Sequence, residues 1–219
     1  MKLAIFDFNG TIFPRETLPF LLSQWYKQGY SRSKLTKVFL CLLPLYLQYI
    51  ISANNDNREE MKAKMVYRFS TIFNGLNCKE LLDYFQNAAE EVKKYYNKKI
   101  VEEIKRAKAN GFHTVLLSGA FKLLVENVGS DLGIDTIIGS ELVFKNGIIS
   151  KNTKLISGSR KITSLLEVFP DEKIEWAESC AYADSFGDLE ILEYVGHPVV
   201  VSPDQRLRSI ALERGWQII

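Results

Sequence analysis

Short apolar runs and longer amphipathic stretches occupy different parts of this chain. Residues 3–7 form an apolar run that ends in an acid, which predicts a strand buried on both faces. From about residue 16 to about residue 97 the apolar positions recur at helical spacing, as in residues 79–96. Beyond residue 97 strand-like and helix-like segments alternate. This order favours an α/β fold, a Rossmann-like parallel sheet with helices on both faces, interrupted by a helical insert.

The second half of the chain supplies most of the predicted elements. Asn146-Gly147 predicts a tight hairpin turn within residues 140–149. Glycines at 111 and 133 predict the ends of two helices. The predicted strands are 113–117, 180–183, 199–201 and 216–219, and the predicted helices are 100–110, 121–132, 160–169, 188–195 and 205–214. We therefore expect residues 1–14 and 98–219 to form the α/β core and residues 15–97 to form the insert.

Residues 38–51 are nearly all apolar and raise the question of a membrane contact. The run is shorter than the roughly 18 residues that suggest a spanning helix, and it contains Pro44 and Gln48. A buried helical segment is the favoured interpretation. A surface that touches lipid or an amphiphilic substrate is the alternative, and a true span ranks last. No firm membrane association is expected.

Charge and cysteine usage narrow the class of protein. The 219 residues carry a formal charge of +2, which argues against a dedicated nucleic-acid binder. Cys41, Cys78 and Cys180 are widely spaced and odd in number, as is usual in a reducing compartment. The first residues show no pattern of a secretion signal. A cytoplasmic location is expected.

Three apolar strands end in polar side chains, namely Asp7, Ser118 and Asp184. In open α/β sheets ligands bind beyond the carboxyl ends of the strands, near the point where the strand order reverses. Each of these residues alone could simply begin a turn. The same relative position in all three strands predicts instead that they converge on one site.

Four ordered motifs resemble those of the haloacid dehalogenase-like (HAD) superfamily of hydrolases, particularly the phosphoserine phosphatase-like branch, subfamily IB. The resemblance covers the whole predicted core and treats the insert as a cap over the site. It implies a phosphatase that uses Mg²⁺ and an aspartyl-phosphate intermediate to hydrolyse a small organic phosphomonoester. The motifs are Asp7-Phe8-Asn9-Gly10-Thr11, Ser118-Gly119, Lys161 and Asp184-Ser185-Phe186-Gly187-Asp188.

The resemblance also implies roles for the charged residues. Asp7 is the expected nucleophile, which divides one difficult phosphoryl transfer into two easier steps. Two carboxylates brought together, Asp7 and Asp184, would repel each other without a hard cation such as Mg²⁺. The backbone carbonyl of Asn9 is the expected third ligand, and Asp188 orients metal-bound water or Lys161. Lys161 is expected to offset negative charge during transfer.

Substrate recognition is implied less specifically. Thr11, Ser118 and the Gly119 N–H are expected to hold phosphate oxygens. Glu16 lies nine residues after the predicted nucleophile, where phosphoserine phosphatases carry a glutamate that binds the substrate ammonium. Arg68 is the candidate for their carboxylate-binding arginine. Solvated surface charges are the competing interpretation of both residues.

Asn9 departs from the family pattern, which has an aspartate that exchanges protons with the leaving group and with water. Asparagine lacks that proton, and general acid–base catalysis contributes about 10²- to 10⁴-fold in rate. Four explanations are open: an engineered substitution, a slow phosphatase or phosphotransferase, a non-catalytic phospholigand-binding protein, and an Asn9-Gly10 bond that deamidates to aspartate.

The first half of the insert is rich in aromatic side chains. They are Trp25, Tyr26, Tyr30, Phe39, Tyr46 and Tyr49. Such a surface can pack internally, form a homodimer through the cap or admit a lipid-like phosphomonoester, and internal packing is the commonest use. A phosphatase acting on a small phosphorylated metabolite is the favoured function, and a catalytically impaired phospholigand-binding protein is the alternative.

Overall fold

A six-stranded parallel sheet runs through the computed structural model, which describes residues 1–51, 56–150, 153–158, 160–170 and 173–219. A separate antiparallel hairpin pairs β4 with β5. The order of strands in the large sheet is β3-β2-β1-β6-β7-β8. The eight strands are β1 Leu3–Phe6, β2 His113–Phe121, β3 Thr136–Ser140, β4 Phe144–Lys145, β5 Ile148–Ile149, β6 Cys180–Ala183, β7 His197–Val200 and β8 Gln217–Ile218.

The position of β1 determines where a ligand can bind. It pairs with β2 on one side and with β6 on the other, both in parallel register. The chain therefore reverses its direction of travel across the sheet at β1, and the carboxyl ends of β1, β2 and β6 lie side by side. This is the topological switch point at which open α/β sheets bind ligands.

Among the described residues, five helices lie between β1 and β2 in the chain, and four others accompany the remaining strands. In the part of the chain that is described they are α1 Thr17–Lys27, α2 Arg32–Ile51, α3 Asp56–Ser70, α4 Cys78–Lys93, α5 Lys98–Ala109, α6 Lys122–Asp131, α7 Arg160–Val168, α8 Leu189–Tyr194 and α9 Gln205–Glu213. Repeated strand–helix units with helices on both faces confirm the predicted fold class.

The alternation of side chains along β1 divides the core into two layers. Ala4 and Phe6 belong to a cluster that continues into the insert, whereas Leu3 and Ile5 belong to the cluster on the opposite face of the sheet. This follows from the two-residue period of a strand. Because α1–α4 share the first cluster with the sheet, the division into a core and an insert remains a prediction.

Local signals explain several element boundaries. Asn77 accepts a hydrogen bond from the Glu80 N–H while the Glu80 carboxylate accepts one from the Asn77 N–H, a capping box that starts α4. Asn146 and Gly147 have φ values of 53° and 75°, so the predicted hairpin turn is confirmed between β4 and β5.

Two strands differ from the sequence expectation. β2 continues four residues beyond the predicted Leu117 and includes a register shift opposite β3. β3 itself was not predicted, and its last residue, Ser140, was assigned to the predicted hairpin at residues 140–149. Its pattern Thr-Ile-Ile-Gly-Ser is short, contains glycine and derives its strand character from pairing with β2.

The apolar run at 38–51 is helical, as predicted, and forms the greater part of α2. Pro44 lies inside this helix. Val38 and Leu42 pack into the core, whereas Leu40 and Leu47 are exposed on the other side. Within the described ranges, no helix combines the length and the hydropathy needed to cross a bilayer.

Candidate active site

Asp7 follows β1 directly and is almost completely buried at the carboxyl end of the sheet. Its N–H donates to the Tyr182 carbonyl at 2.9 Å, which continues the β1–β6 pairing. One carboxylate oxygen, Oδ1, accepts from Lys161 Nζ at 2.6 Å. Strand pairing therefore places the backbone of Asp7, and a buried lysine orients its side chain.

Lys161 connects two of the predicted acids. This residue in the first turn of α7 also donates to Asp188 Oδ1, and Asp188 Oδ2 accepts from the Ser185 hydroxyl at 3.0 Å. Burial lowers the pKa of Lys161, but the attraction of Asp188 and Asp7 outweighs burial and raises this pKa overall. The lysine therefore stays charged between two carboxylates.

Among the described residues, the third acid has no ion-pair partner comparable to Lys161. Asp184 follows β6, and its carboxylate lies within 4.8 Å of the Asp7 and Asp188 carboxylates. Burial, followed by repulsion from Asp7 and Asp188, raises the pKa of Asp184 to about 8. Burial also raises the pKa of Asp7 to about 6, although Lys161 partly offsets this increase. One lysine does not compensate three acids.

The donor set and this charge imbalance both fit a divalent cation. The acids offer oxygen atoms, the ligands that Mg²⁺ prefers, and a cation between Asp7 and Asp184 would relieve their repulsion. The backbone of Gly10, which follows Asn9, lies close to the Asp184 carboxylate. A Cβ at Gly10 would overlap the Asp184 side chain, and the φ of +71° is also unfavourable for other residues. Position 10 therefore requires glycine, because a side chain there would clash with the Asp184 carboxylate.

Asn9 lies in the loop after β1, and its Oδ1 accepts a hydrogen bond from the Thr17 hydroxyl at the start of α1. Both residues line the cavity that Asp7 faces. The sequence reasoning missed Thr17, because no motif marks it and its contact depends on how α1 docks. The Asn9 side chain is thus held between the sheet and the insert.

The predicted phosphate-binding residues occupy different settings. Gly119 lines the cavity, and a Cβ there would approach the Ile156 carbonyl to 2.7 Å. Ser118 is buried, and its Oγ accepts from the Ala120 N–H at 3.1 Å. Thr11 is also buried and, among the described residues, its Oγ1 is the buried side-chain oxygen that lacks a hydrogen-bond partner. Neither Ser118 nor Thr11 lines the cavity.

A cavity of about 500 Å³ opens above the acids. Asp7, Lys161, Asp184 and Asp188 contribute to one end of its wall, and Glu16 also lines it. Arg68 does not: its side chain is exposed near the end of α3, outside the cavity lining. Glu16 and Arg68 are therefore not brought together at the cavity, to which α3 presents Met65 and Val66 instead. The roles of Glu16 and Arg68 in substrate binding remain predictions.

Family comparison agrees with this geometry. The profile of the haloacid dehalogenase-like hydrolases matches residues 4–193, so the chain belongs to that family. Inhibition of morphological differentiation protein from Streptomyces azureus is 25% identical over 99% of this chain and 77% of its own length. Phosphoserine phosphatase SerB1 from Mycobacterium tuberculosis is 31% identical over 43% of this chain, which corresponds to only 32% of that relative.

Solved structures show the same fold. A Bordetella pertussis Tohama I protein of unknown function superposes with a TM-score of 0.79 and 17% identity, over 100% of this chain and 97% of that one. A phospho-aspartyl intermediate analogue of phosphoserine phosphatase gives a TM-score of 0.59 and 16% identity, over 99% of this chain and 91% of that one. The family match confirms the resemblance to the haloacid dehalogenase-like hydrolases, and these comparisons are consistent with the phosphoserine phosphatase-like branch.

Proposed function

We propose that this chain is a Mg²⁺-dependent phosphatase that hydrolyses phosphomonoesters through an aspartyl-phosphate on Asp7. The observation that carries the proposal is the buried Asp7 carboxylate, held by Lys161 beside Asp184 and facing a cavity. Relatives named phosphatases, and a structural neighbour described as a phospho-aspartyl intermediate analogue, support the same chemistry.

In the first step an Asp7 carboxylate oxygen attacks phosphorus, and the bond from phosphorus to the leaving alcohol oxygen breaks. The alcohol departs with a proton taken from water. In the second step a water oxygen attacks the phosphorus of the aspartyl-phosphate, and cleavage of its P–O bond releases phosphate and the Asp7 carboxylate. Each step replaces one phosphorus–oxygen bond by another, as in-line transfer requires.

The residues around Asp7 stabilise charge during both steps. Mg²⁺ would be held by Asp7, Asp184 and the Asn9 carbonyl, with Asp188 orienting its water, and would supply positive charge beside the transferring phosphoryl group. Lys161 adds a second positive charge on the side of Asp188. The Gly119 N–H, Thr11 and Ser118 remain the proposed donors to phosphate, and the Thr11 hydroxyl has no hydrogen-bond partner within the part of the chain that the structure describes.

The insert, residues 15–97, is proposed to act as a cap over the core formed by residues 1–14 and 98–219. Both parts contribute to the cavity wall, so a bound substrate would be enclosed between them. Enclosure excludes bulk water, which would otherwise compete with the Asp7 carboxylate as the nucleophile in the first step and screen the charges of the site. A homodimer through the cap and a cytoplasmic location remain predictions.

Asn9 favours a second candidate function, a phospholigand-binding protein with little or no turnover. The asparagine side chain accepts the Thr17 hydroxyl hydrogen bond and has no exchangeable acidic proton to offer the leaving group. Restoring an acid there should increase the rate about 10²- to 10⁴-fold if the rest of the site is catalytically competent.

A phosphomonoester panel with Mg²⁺ separates the two functions. The protein itself, Asn9→Asp and Asp7→Ala are assayed for phosphate release, and each is checked for folding by thermal unfolding. Slow release by the protein, faster release by Asn9→Asp and none by Asp7→Ala support the phosphatase. Saturable Mg²⁺-dependent ligand binding without release in any form supports the binding protein. Release that survives Asp7→Ala contradicts the mechanism.

A further inference from the structure

The cavity has two chemically different ends. The sheet end carries the acids and Lys161, whereas the insert supplies a wall that is mainly apolar. Helices α1, α2 and α3 all contribute to that wall. Its apolar side chains include Leu18, Leu22, Phe39, Leu43, Met65 and Val66.

Polar groups on the insert wall are few. Among the described lining residues, Glu16 and Lys62 are the charged groups that the insert contributes. Arg68, the residue expected to bind a substrate carboxylate, lies outside the lining. A small zwitterionic leaving group such as serine could pair with Glu16 and Lys62, but the rest of the insert wall would offer it mainly hydrocarbon, which forms no hydrogen bonds with charged groups.

The size of the cavity points in the same direction. About 500 Å³ falls within the range that holds drug-sized ligands, with most of their surface buried. A phosphate with a short polar substituent would occupy only the sheet end and leave the apolar wall in contact with water. An apolar substituent would remove that wall from water, which is favourable in proportion to the area buried.

The wall also extends toward the surface. Phe39, Leu43 and Tyr46 line the cavity, yet they are 53%, 40% and 52% exposed, so they form a continuous apolar path from the interior to solvent. They are spaced four and three residues apart and share one stripe of α2. An apolar substituent too long for the interior of the cavity could continue along this stripe of α2.

We propose that the leaving group is an alcohol with an elongated hydrocarbon chain, so that the preferred substrates are alkyl phosphates of the lipid phosphomonoester class. The phosphate lies at Asp7, and the chain runs between α1, α2 and α3. This inference rests on the proposed function for the position of the phosphate. It adds the chemical class of the substrate.

Binding of non-hydrolysable n-alkyl phosphonates tests the inference without requiring turnover. Chains of four, eight and twelve carbons are titrated calorimetrically with Mg²⁺ present, below their critical micelle concentrations. Each buried methylene should tighten binding about fourfold, so the eight-carbon compound should bind roughly 10²-fold more tightly than the four-carbon compound. Equal dissociation constants across the series would overturn the proposal, as would tighter binding of phosphoserine than of the eight-carbon compound.

Two matched variants show whether the alkyl chain of the ligand binds in the cavity. Leu43 lines the cavity, whereas Leu47, one turn further along α2 and 50% exposed, does not. Leu43→Glu should reduce the preference for eight over four carbons at least tenfold, and Leu47→Glu should preserve that preference. Equal losses in both variants would indicate nonspecific adsorption to α2 and reject the cavity.

Phosphate release from the corresponding alkyl phosphates distinguishes failure of this inference from failure of the proposed function. Release by Asn9→Asp with kcat/KM independent of chain length leaves the phosphatase intact and overturns the chain preference. Chain-dependent phosphonate binding without release in any form leaves the chain preference intact and overturns the phosphatase.

Discussion

The carboxyl end of the sheet and the insert wall that faces it hold their side chains by different means. At the sheet end, Asp7, Lys161 and Asp188 form a buried network in which each charge depends on the others. On the insert wall, apolar residues of three helices contact one another without directional bonds. A single substitution should therefore change the charged end strongly, whereas the apolar wall should adapt.

The largest expected effect is the loss of the buried cation. Lys161→Met leaves Asp7 and Asp188 without their shared partner and should lower the free energy of unfolding by about 3–5 kcal/mol. Urea unfolding of the metal-free protein measures this loss. The matched control is Lys122→Met, because Lys122 pairs with Glu141 at side chains that are 38% and 44% exposed.

That control should change the free energy of unfolding by less than about 1 kcal/mol, since exposed ion pairs contribute little. A second test replaces one of the acids as well. Lys161→Met combined with Asp188→Asn should recover part of the lost stability, because one uncompensated buried charge is removed. Equal losses for Lys161→Met and Lys122→Met would contradict the contrast between the two regions.

The charged end was predictable because its residues combine two independent signals. Asp7 and Asp184 follow apolar strands, and the order of the motifs adds Lys161 and Asp188. Parallel pairing then brings the strand ends together, whatever the loops do. Ser118 was expected at the end of its strand. Pairing with β3 extends β2 past the predicted turn, so Ser118 lies inside the strand instead.

The insert wall was not predictable to the same degree. Helical spacing identifies an apolar face, but which face meets the site depends on how α1, α2 and α3 pack together. Arg68 and Val66 lie two residues apart on α3, about 200° around the helix, so they occupy nearly opposite faces and the docking of α3 decides which of them reaches the cavity. The Thr17–Asn9 hydrogen bond likewise depends on docking of α1 and has no signature in the sequence.

The next largest effect concerns pH. The pKa values of Asp184 and Asp7, about 8 and about 6, exceed their ordinary value of 3.8. Between pH 4 and pH 8 the folded metal-free protein binds more protons than the unfolded chain, so the free energy of unfolding should fall as pH rises. The expected loss over this interval is on the order of several kcal/mol.

Urea unfolding in a chelating buffer at pH 5 and pH 8 measures this slope. Asp184→Asn should flatten it by removing the acid with the higher pKa. Excess Mg²⁺ should also oppose the loss, since it binds the ionised carboxylates of the folded state. An unchanged slope in Asp184→Asn would show that other groups cause the pH dependence.

Gly10 at the charged end and Gly29 in the insert allow a comparison of the two regions, because both have a similar left-handed backbone conformation. Gly10 and Gly29 have φ values of +71° and +78°, but a Cβ overlaps Asp184 only at Gly10, whereas at Gly29 it meets nothing within 4 Å. Alanine at either position should cost about 1–2 kcal/mol for its left-handed backbone conformation. Gly10→Ala should additionally weaken Mg²⁺ binding at least tenfold, measured by calorimetry. Equal Mg²⁺ affinities in the two variants would remove Gly10 from the metal site.

The smallest effect tests the hydrogen bond that joins the two regions. Thr17 is buried in the first turn of α1 and donates its hydroxyl proton to the partly buried Asn9 Oδ1. Thr17→Val keeps the shape but leaves that oxygen without its donor, which should cost about 1 kcal/mol in urea unfolding. Thr17→Ser retains the hydroxyl and should recover most of the cost. If both variants lose the same stability, packing of the threonine methyl group and not the hydrogen bond attaches α1 to the loop after β1, and the orientation of Asn9 has a different origin.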